Sequence, residues 1–415
     1  MGANINKSLQ VSWFSYLYLF MIVLYAGQSG GLTGLVAYEG NPIVFILPVL
    51  MTIVLVRHQK GISINKSLII AVGVLIVWEI MQIMHHGQIN ASLTLFQFYQ
   101  LGLCYVIVQV YQEKLFYVYE DIVYRLAVLS LLLWGVSLII PQALSSVLKT
   151  IGPSINSNSG TIYVYTMMRL DHVEGIIRNS GFAWEPGRYA CFLCIAIFCN
   201  LLINGYRFKN NYRLWILVLA LLTTQSTTGF FTLMVLMILF VLNKNSGWKV
   251  IWLALLIPVA FLLYRLDFVG EKAMNKLETE TEMERLYDRE GYSLDRIESA
   301  IIEWENFKHD PITGYGEWRY SEFTQRMGLG FYTNNGTMTL LAKYGLLGFL
   351  YYLCIFISSK RIARFFNDRV SIGYFILFIC IGMGYDFNQI VLVMAFSFWG
   401  IFMPKEVPII IHAER

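Results

Sequence analysis

Long runs of apolar residues alternate with short polar segments along almost the whole chain. A helix needs about 20 mainly apolar residues to cross roughly 30 Å of hydrocarbon, and the runs reach or approach this length. The pattern predicts about twelve transmembrane helices, at Val11–Tyr25, Pro42–Val56, Ser67–Met84, Leu93–Tyr111, Ile122–Ile140, Tyr189–Asn204, Tyr212–Thr224, Thr228–Leu242, Trp248–Tyr264, Gly336–Ile357, Ser371–Asp386 and Gln389–Met403. The last two runs are also compatible with a single broken helix. We therefore predict an all-α integral membrane protein that forms one polytopic domain over residues 1–415.

The composition agrees with this prediction. Hydrophobic residues make up 57% of the chain and charged residues only 14%, whereas a soluble domain carries about 25% charged residues. The formal net charge is +4, and the basic residues are scattered over several loops. A nucleic-acid partner is therefore not expected. The six cysteines do not form the paired Cys-x-x-Cys sets of a zinc site, so no metal site is expected.

Lysine and arginine are distributed unevenly over the predicted loops. They are absent from the short odd-numbered loops and occur in the even-numbered ones, as Arg57, Lys60, Lys66, Lys114, Arg207, Lys209, Arg213, Lys244, Lys249, Lys360, Arg361, Arg364 and Arg369. By the positive-inside rule, both termini are then cytoplasmic and the odd loops face outward.

Two of the outward loops are long, covering residues 141–188 and 265–335. Long loops cross the membrane regardless of their charge, and these two far exceed the usual connection of about 4 to 6 residues. We therefore expect the function to lie in them. Within the second loop, Ser293–Phe307 carries apolar residues at helical spacing, which predicts a short amphipathic helix.

Both long loops contain arginine close to the predicted re-entry into the membrane. A guanidinium binds phosphate through bidentate, charge-assisted hydrogen bonds and keeps its charge. The candidates for a phosphate site are Arg178, Arg188, Arg296, Arg319 and Arg326. Snorkelling or pairing with nearby carboxylates is the competing interpretation for each of them.

Two further residues are candidates for proton transfer. Glu185 precedes Pro186 at a predicted helix start, where it fits a helix cap. An acid/base role, or a role in orienting Arg178 or Arg188, is the alternative for this carboxylate. His309 is a candidate base because histidine accepts protons near neutral pH, although a surface turn before a proline is the competing interpretation.

The end of the second loop contains candidate sugar-binding residues. Tyr315 lies between two glycines, which indicates a tight passage of the backbone near a ligand or another helix. Asn334 and Asn335 begin the next predicted helix, either as N-caps or as amides that bind sugar hydroxyls.

From about Arg178 onward, the chain resembles the O-antigen polymerase and ligase superfamily of bacterial polysaccharide assembly. The stretch RNSGFAWEPGRYACFL is similar to that family's Arg-x-x-Gly-Phe and Glu-Pro elements, and SLDRIESAIIEWENFKHDPITGYG resembles its arginine-bearing helix before Pro-Ile-x-Gly-x-Gly. The stretch NNGTMTLLAKYGLLGFL resembles the closing motif, and TTQSTTGFF looks like a degenerate Ser-Arg-x-Gly element with Thr228 in place of arginine.

The resemblance implies a GT-C-like helical glycosyltransferase of the bacterial inner membrane, with its active site facing the periplasm and no cofactor. Its implied partners are membrane lipid, undecaprenyl-pyrophosphate-linked oligosaccharides as donor and acceptor, and a chain-length regulator as a further possible partner. Arg178 and Arg296 would hold the donor's pyrophosphate and stabilise the charge of the leaving group. Arg188, Tyr315, Arg319, Asn334 and Asn335 would bind substrate.

The resemblance leaves three activities to compare. The family's ligases carry a catalytic histidine where Asn334 stands, which favours a polymerase over a ligase that transfers polymer to lipid A core. It also leaves the base open between Glu185 and His309. A polysaccharide flippase or other transporter is a rival from a different class, and the two long outward loops argue against it.

Overall fold

The computed structural model describes residues 11–27, 42–58, 62, 64–87, 91–151, 160–167, 177–243, 296–316, 335–384 and 390–403. Helices dominate these ranges and are accompanied by a two-stranded antiparallel sheet. In chain order the elements are α1 (Trp13–Gly27), α2 (Pro42–His58), α3 (Lys66–His86), α4 (Ala91–Tyr111), α5 (Lys114–Ile139), α6 (Pro141–Ile151), β1 (Gly160–Ile162), β2 (Tyr165–Met167), α7 (Pro186–Ile203), α8 (Tyr212–Thr223), α9 (Thr227–Asn243), α10 (Arg296–His309), α11 (Gly336–Tyr344), α12 (Leu346–Phe366), α13 (Gly373–Gly382), α14 (Val391–Ser397) and α15 (Trp399–Phe402).

Many of these helices have the length and composition of membrane spans. Within the described ranges, five are long and apolar enough to cross a bilayer: Lys66–His86, Leu93–Tyr111, Lys114–Ile139, Pro186–Ile203 and Leu346–Phe366. Shorter apolar helices of 10–17 residues are Trp13–Gly27, Ile46–Arg57, Tyr212–Thr223, Thr227–Asn243 and Gly373–Gly382. The prediction of a helical membrane protein is therefore supported, while the predicted span Trp248–Tyr264 lies outside the described residues.

The helix α7 lies inside the bundle. Every residue from Pro186 to Leu202 is buried, and the helix packs against α5, α8, α9 and α13. By contrast, α3 exposes large apolar side chains such as Ile69, Ile70 and Val77. Exposed aliphatic residues on an apolar helix are typical of a surface that faces lipid.

Hydrogen bonds between segments that are distant in sequence show which loops lie together at each of the two ends of the bundle. At the first end, loops that carry lysine and arginine meet one another through the pairs Asn65–Phe402, Gln109–Phe402, Tyr206–Asp368 and Asn243–Arg369. We call it the basic end. At the second, the site end, residues 177–185 meet the α8–α9 turn, and the turn 310–316 meets the end of α3. Within the described residues, the loops with lysine and arginine that these bonds connect therefore lie at the end opposite the α8–α9 turn.

The predicted single span Gly336–Ile357 is divided into α11 and α12. Gly345 separates them, with φ 52° and ψ −125°. The chain bends where the turn 310–316 packs against it, and Leu346 N–H donates to the Ile312 carbonyl at 3.0 Å. The prediction of one helix was wrong because the apolar pattern continues across the bend.

We expect Gly345→Ala to destabilise the folded protein. A Cβ at this position would lie 2.5 Å from the Ile312 oxygen and 2.7 Å from the Gly314 nitrogen. Strain at a positive φ costs about 1–3 kcal/mol, so the melting temperature in detergent should fall by a few degrees. Gly102→Ala is the control, because a Cβ there meets no atom within 4 Å. Equal melting temperatures for both variants would contradict the role of the bend.

The first long loop is not entirely helical, so the all-α prediction is wrong in this detail. It contains α6 and a hairpin of β1 and β2, whose register pairs Gly160 with Met167 and Ile162 with Tyr165. Strands of three residues are too short to produce an alternating pattern that the sequence would reveal. The predicted span Gln389–Met403 is also divided, into α14 and α15.

Candidate functional site

The chain that precedes α7 is attached to the end of α8. The Asn179 N–H donates to the Thr223 carbonyl at 3.0 Å, and its side-chain amide donates to the Thr223 hydroxyl at 3.0 Å. Arg178 then reaches the α8–α9 turn, where Nε donates to the Thr224 carbonyl at 2.9 Å and Nη2 to the Gln225 carbonyl at 3.1 Å. A cation at the last carbonyls of a helix is stabilised by the helix dipole. The guanidinium of Arg178 is therefore fixed at this turn.

The glycine of the sequence RNSGF is required by packing. Gly181 has φ 50°, and a Cβ at this position would overlap the ring of Tyr189. Its carbonyl accepts the Thr166 N–H at 2.7 Å, so β2 supports the same segment. The hairpin and the first turns of α7 together determine where Arg178 lies.

Arg296 reaches the same α8–α9 turn from the second long loop. It is the first residue of α10, and its Nη1 donates to the Thr228 hydroxyl at the start of α9. The Asn335 side chain donates to the Arg296 carbonyl at 3.1 Å and accepts the Met338 N–H at 3.0 Å, which makes it the N-cap of α11. The N-termini of α9, α10 and α11 therefore meet around Arg296.

Two glycines allow these helix starts to approach one another. A Cβ at Gly229 would lie 2.8 Å from the Cβ of Ala190, so the first turn of α9 packs directly on the N-terminal part of α7. A Cβ at Gly384, just beyond α13, would lie 2.9 Å from the Thr228 hydroxyl oxygen. A larger side chain at either position would separate the helix starts that surround the two arginines.

Glu185 and Arg188 lie at the N-terminus of α7. Pro186 occupies the first turn, as predicted, but the Glu185 side chain forms no capping hydrogen bond. The Arg188 guanidinium is buried and donates from Nε to the Ala26 carbonyl at 3.0 Å, which connects α7 to the end of α1. Arg296 binds Thr228, and the adjacent Gly229 packs on Ala190 in the first turns of α7, so Arg296 approaches the same end of α7.

The structure does not bring His309 to the two arginines. His309 is the last residue of the 14-residue helix α10 and Arg296 is the first, which separates them by about 20 Å along the axis. His309 is exposed, and the adjacent Asp310 pairs with His85 at 3.0 Å. His309 and Arg296 therefore belong to opposite ends of one helix.

Tyr315 is part of a buried polar cluster that the sequence analysis missed. Its hydroxyl donates to Glu303 Oε1 at 3.4 Å, and the Thr339 hydroxyl donates to the same oxygen at 3.4 Å. The Asn306 amide donates to Glu303 Oε2 at 3.1 Å. The predicted helix is confirmed, but the face that it buries against α11 is polar, with Ser299, Glu303 and Asn306 at most 3% exposed.

Two of the apolar residues whose spacing predicts this helix are exposed in the structure. Ile301 is 40% exposed and Trp304 is 45% exposed. The signal for the buried face was the polar spacing of residues 296, 299, 303 and 306, which recur at helical intervals. This stripe begins at Arg296 and extends along α10 to Asn306.

We expect Glu303→Ala to destabilise the packing of α10 on α11. The change removes the carboxylate that accepts from the Tyr315 hydroxyl and the Asn306 amide, while the Thr339 hydroxyl keeps its bond to the Asn335 carbonyl at 2.7 Å. Loss of a buried hydrogen-bond partner costs about 1–3 kcal/mol. The melting temperature in detergent should fall, while Glu298→Ala, at an intermediate position on the same helix, should change it less. An unchanged melting temperature for Glu303→Ala would contradict this assignment.

Arg319, Arg326 and Asn334 lie outside the described residues, so their predicted roles stay predictions. Among the candidates within the described residues, the structure brings Arg178, Arg296 and Asn335 to one place. Glu185 lies nearby on α7.

Comparison with known proteins gives one family match. Residues 213–353 match the model of a family described as O-antigen ligase, and the chain matches none of the curated proteins compared with it. The matched region runs from α8 into α12 and contains Arg296 and Asn335, whereas Arg178 and Glu185 precede it. Over this region, about a third of its length, the chain is similar to the O-antigen ligase family, and its resemblance to the O-antigen polymerase and ligase superfamily is thereby confirmed.

Proposed function

We propose that this protein is a membrane glycosyltransferase that polymerises surface polysaccharide from undecaprenyl-pyrophosphate-linked oligosaccharide units. The observation that carries the proposal is the meeting of Arg178 and Arg296 at the α8–α9 turn, although they come from two distant segments. Their partners lie within residues 224–228, and two guanidinium groups on so short a segment are suited to an anion with more than one negative charge.

The helix termini add to this positive potential. The N-terminus of a helix carries a partial charge of about +0.5, and the N-termini of α9, α10 and α11 meet beside Arg296. Backbone N–H groups at such termini bind phosphate groups well. A pyrophosphate is the ligand that this concentration of positive charge favours, and the proposed chemistry needs no metal ion to supply it.

The proposed reaction is a single displacement at a sugar carbon. A hydroxyl oxygen of the acceptor attacks the anomeric carbon of the donor sugar while the bond from that carbon to the pyrophosphate oxygen breaks. The pyrophosphate leaves with the electron pair, and Arg178 and Arg296 stabilise its growing negative charge. The configuration at the anomeric carbon is inverted.

The displaced hydroxyl proton requires an acceptor near the arginines. Glu185 is the better candidate, because it stands directly before α7, whose first turns pack on the start of α9 where Arg296 binds. The other sequence candidate, His309, is separated from Arg296 by the length of α10. We therefore assign the base role to Glu185 within the proposal.

Transfer of finished polymer to lipid A core is the second candidate activity, because the matched family is described as O-antigen ligase. We favour a polymerase because Asn334 stands where the related ligases carry histidine. A flippase receives no support from the family match. We further propose that the site end faces the periplasm of a bacterial inner membrane, with both termini cytoplasmic, because the basic loops share the other end.

Deletion of the coding gene tests the proposed activity. Surface polysaccharide from the deletion strain should carry a single repeat unit on lipid A core when separated on a gel, and a plasmid copy should restore the ladder. Complete loss of the polysaccharide would favour the ligase or flippase instead. An unchanged ladder would contradict all three activities.

A further inference from the structure

A mainly apolar groove lies between α3 and α12, on the basic-end side of α11. Its volume is about 350 Å³, and α4 and the segment from α14 to α15 complete its wall. Ala71, Tyr344 and Cys354 line it from α3, α11 and α12 respectively. The groove runs within helices that have the composition of membrane spans, so its contents are in contact with lipid hydrocarbon.

An aromatic pair and a lysine lie next to the groove, and Tyr344 of this pair lines it. The rings of Trp78 and Tyr344 are 5.4 Å apart, and the Lys343 ammonium is 5.7 Å from the Tyr344 ring centre. Lysine is a residue that proteins use where hydrocarbon meets the polar headgroup layer. An apolar chain in the groove would therefore place an anionic headgroup near Lys343.

The helix α11 connects this groove to the candidate site. One side of α11 packs on α10 through Asn335 and Thr339, while Leu340 and Tyr344 face the groove. The nine-residue helix separates its start beside Arg296 from Tyr344 in the wall of the groove by about 12 Å. Two anionic groups could thus be bound at the same time, one at each end of α11.

We infer that the groove binds the isoprenoid chain of a second polyprenyl-pyrophosphate-linked oligosaccharide, the acceptor, with its pyrophosphate beside Lys343. The inference rests on the proposed function, because joining two lipid-linked units requires room for two lipid chains. The donor's pyrophosphate lies at the arginines, where its bond to sugar breaks. The acceptor's pyrophosphate lies about 12 Å away, which leaves space for sugars between it and the attacking hydroxyl.

Cys354 provides a direct test in the full-length protein purified in detergent. All six cysteines lie in the described ranges, and Cys354 is partly exposed whereas the other five are buried. Alkylation by N-ethylmaleimide, followed by mass spectrometry, should be slowed at least tenfold by undecaprenyl pyrophosphate. Equal protection by phosphatidylglycerol would mean that the groove takes ordinary lipid, and that result or absence of protection would overturn the inference.

Two lysines form a matched pair for the headgroup. Lys343→Gln should weaken the protection of Cys354 by undecaprenyl pyrophosphate several-fold. Lys360→Gln should not, although Lys360 also lies over an aromatic ring, at 4.2 Å from the ring centre of Phe356. Equal protection of both variants and the wild type would overturn the assignment of Lys343.

A second pair of variants tests the groove by its effect on chain extension. Ala71→Trp fills the groove and should slow extension at least tenfold, whereas Val77→Trp, on an exposed part of α3, should not. Normal extension by Ala71→Trp would overturn the inference, provided that both variants unfold at the same temperature as the wild type.

The failure of this inference is distinguishable from failure of the proposed function. Undecaprenyl pyrophosphate should still protect Cys354 in the Arg178→Ala/Arg296→Ala variant, because Lys343 is the cation that we assign to the groove. Suppose that this variant no longer extends chains but that undecaprenyl pyrophosphate does not protect Cys354 in the wild type. That result would overturn acceptor binding in the groove and leave the proposed function supported. Protection together with an unchanged ladder in the deletion strain would overturn the polymerase and, with it, the acceptor assignment.

Discussion

Replacing Arg296 with alanine is expected to reduce chain extension by at least about a hundredfold, which is the usual effect of removing one fixed donor from a developing anion. The guanidinium donates to the Thr228 hydroxyl at the start of α9, and the Arg296 carbonyl accepts the side-chain amide of Asn335, the N-cap of α11. In the proposed reaction the charge of Arg296 stabilises the leaving pyrophosphate. The rate of chain extension should therefore fall more than the amount of protein in the membrane. Arg178→Ala should have a comparable effect, because the Arg178 guanidinium is bound by the carbonyls of the adjacent α8–α9 turn.

The measurement is the rate of chain extension by the purified protein from undecaprenyl-pyrophosphate-linked repeat units. Arg296→Lys should retain part of the activity, because lysine keeps the charge but loses the bidentate geometry. Arg207→Ala is the matched control, since Arg207 is exposed at the basic end. Full activity of both alanine variants at the site would refute the pyrophosphate role.

Replacing Arg213 with alanine is expected to lower the stability of the protein by about 3–5 kcal/mol, because it leaves a buried carboxylate without its cation. Glu120 is 4% exposed, and its Oε2 accepts Arg213 Nη1 at 2.8 Å. Arg213 also donates to Asp121 at 2.8 Å, while the Asn200 amide donates to the other oxygen of Glu120 at 2.8 Å. This network connects α5, α7 and α8 at the basic end.

Thermal unfolding in detergent measures this effect. Arg125→Ala is the control, because Arg125 pairs with Asp121 at 2.8 Å but its side chain is 69% exposed. Exposed ion pairs contribute about 0–1 kcal/mol, so the control should unfold close to the wild type. Equal losses for the two variants would show that burial of Glu120 is not what makes the Arg213 pair important.

The positions of the helices could be predicted from the sequence better than their ends. Apolar runs give the existence of a span, and basic residues assign its loops to one end or the other, because both signals are local. The bend at Gly345 depends on contacts with the turn 310–316. This turn is distant in sequence, so the residues around Gly345 do not by themselves predict the bend. The burial of α7 inside the bundle is likewise a property of packing that its composition does not reveal.

The candidate site was predictable in part. Arginine near a membrane boundary points to phosphate binding, and the structure brings Arg178 and Arg296 to one turn. The type of residue alone could not separate these from His309, because only the direction of α10 shows that the histidine lies at its far end. The sequence does not single out Glu303, because apolar residues at helical spacing ordinarily mark the buried face of a helix, whereas α10 buries Ser299, Glu303 and Asn306.

The stripe of buried polar residues also has consequences for the site. Glu303 contacts Thr339 of α11 and is itself held by Asn306 of α10, and α11 follows its N-cap Asn335 beside Arg296. The arginine is thus positioned by contacts along the whole helix. This explains why loss of Glu303 is expected to affect stability, while loss of Arg296 is expected to affect turnover.

The most direct test of the central claim is the binding of undecaprenyl pyrophosphate to the purified protein, measured by native mass spectrometry. We predict that the Arg178→Ala/Arg296→Ala variant retains one equivalent of this lipid fewer than the wild type, while Arg207→Ala retains the same number. A double variant that binds as many equivalents as the wild type, with unchanged affinity, would contradict a pyrophosphate site at the α8–α9 turn.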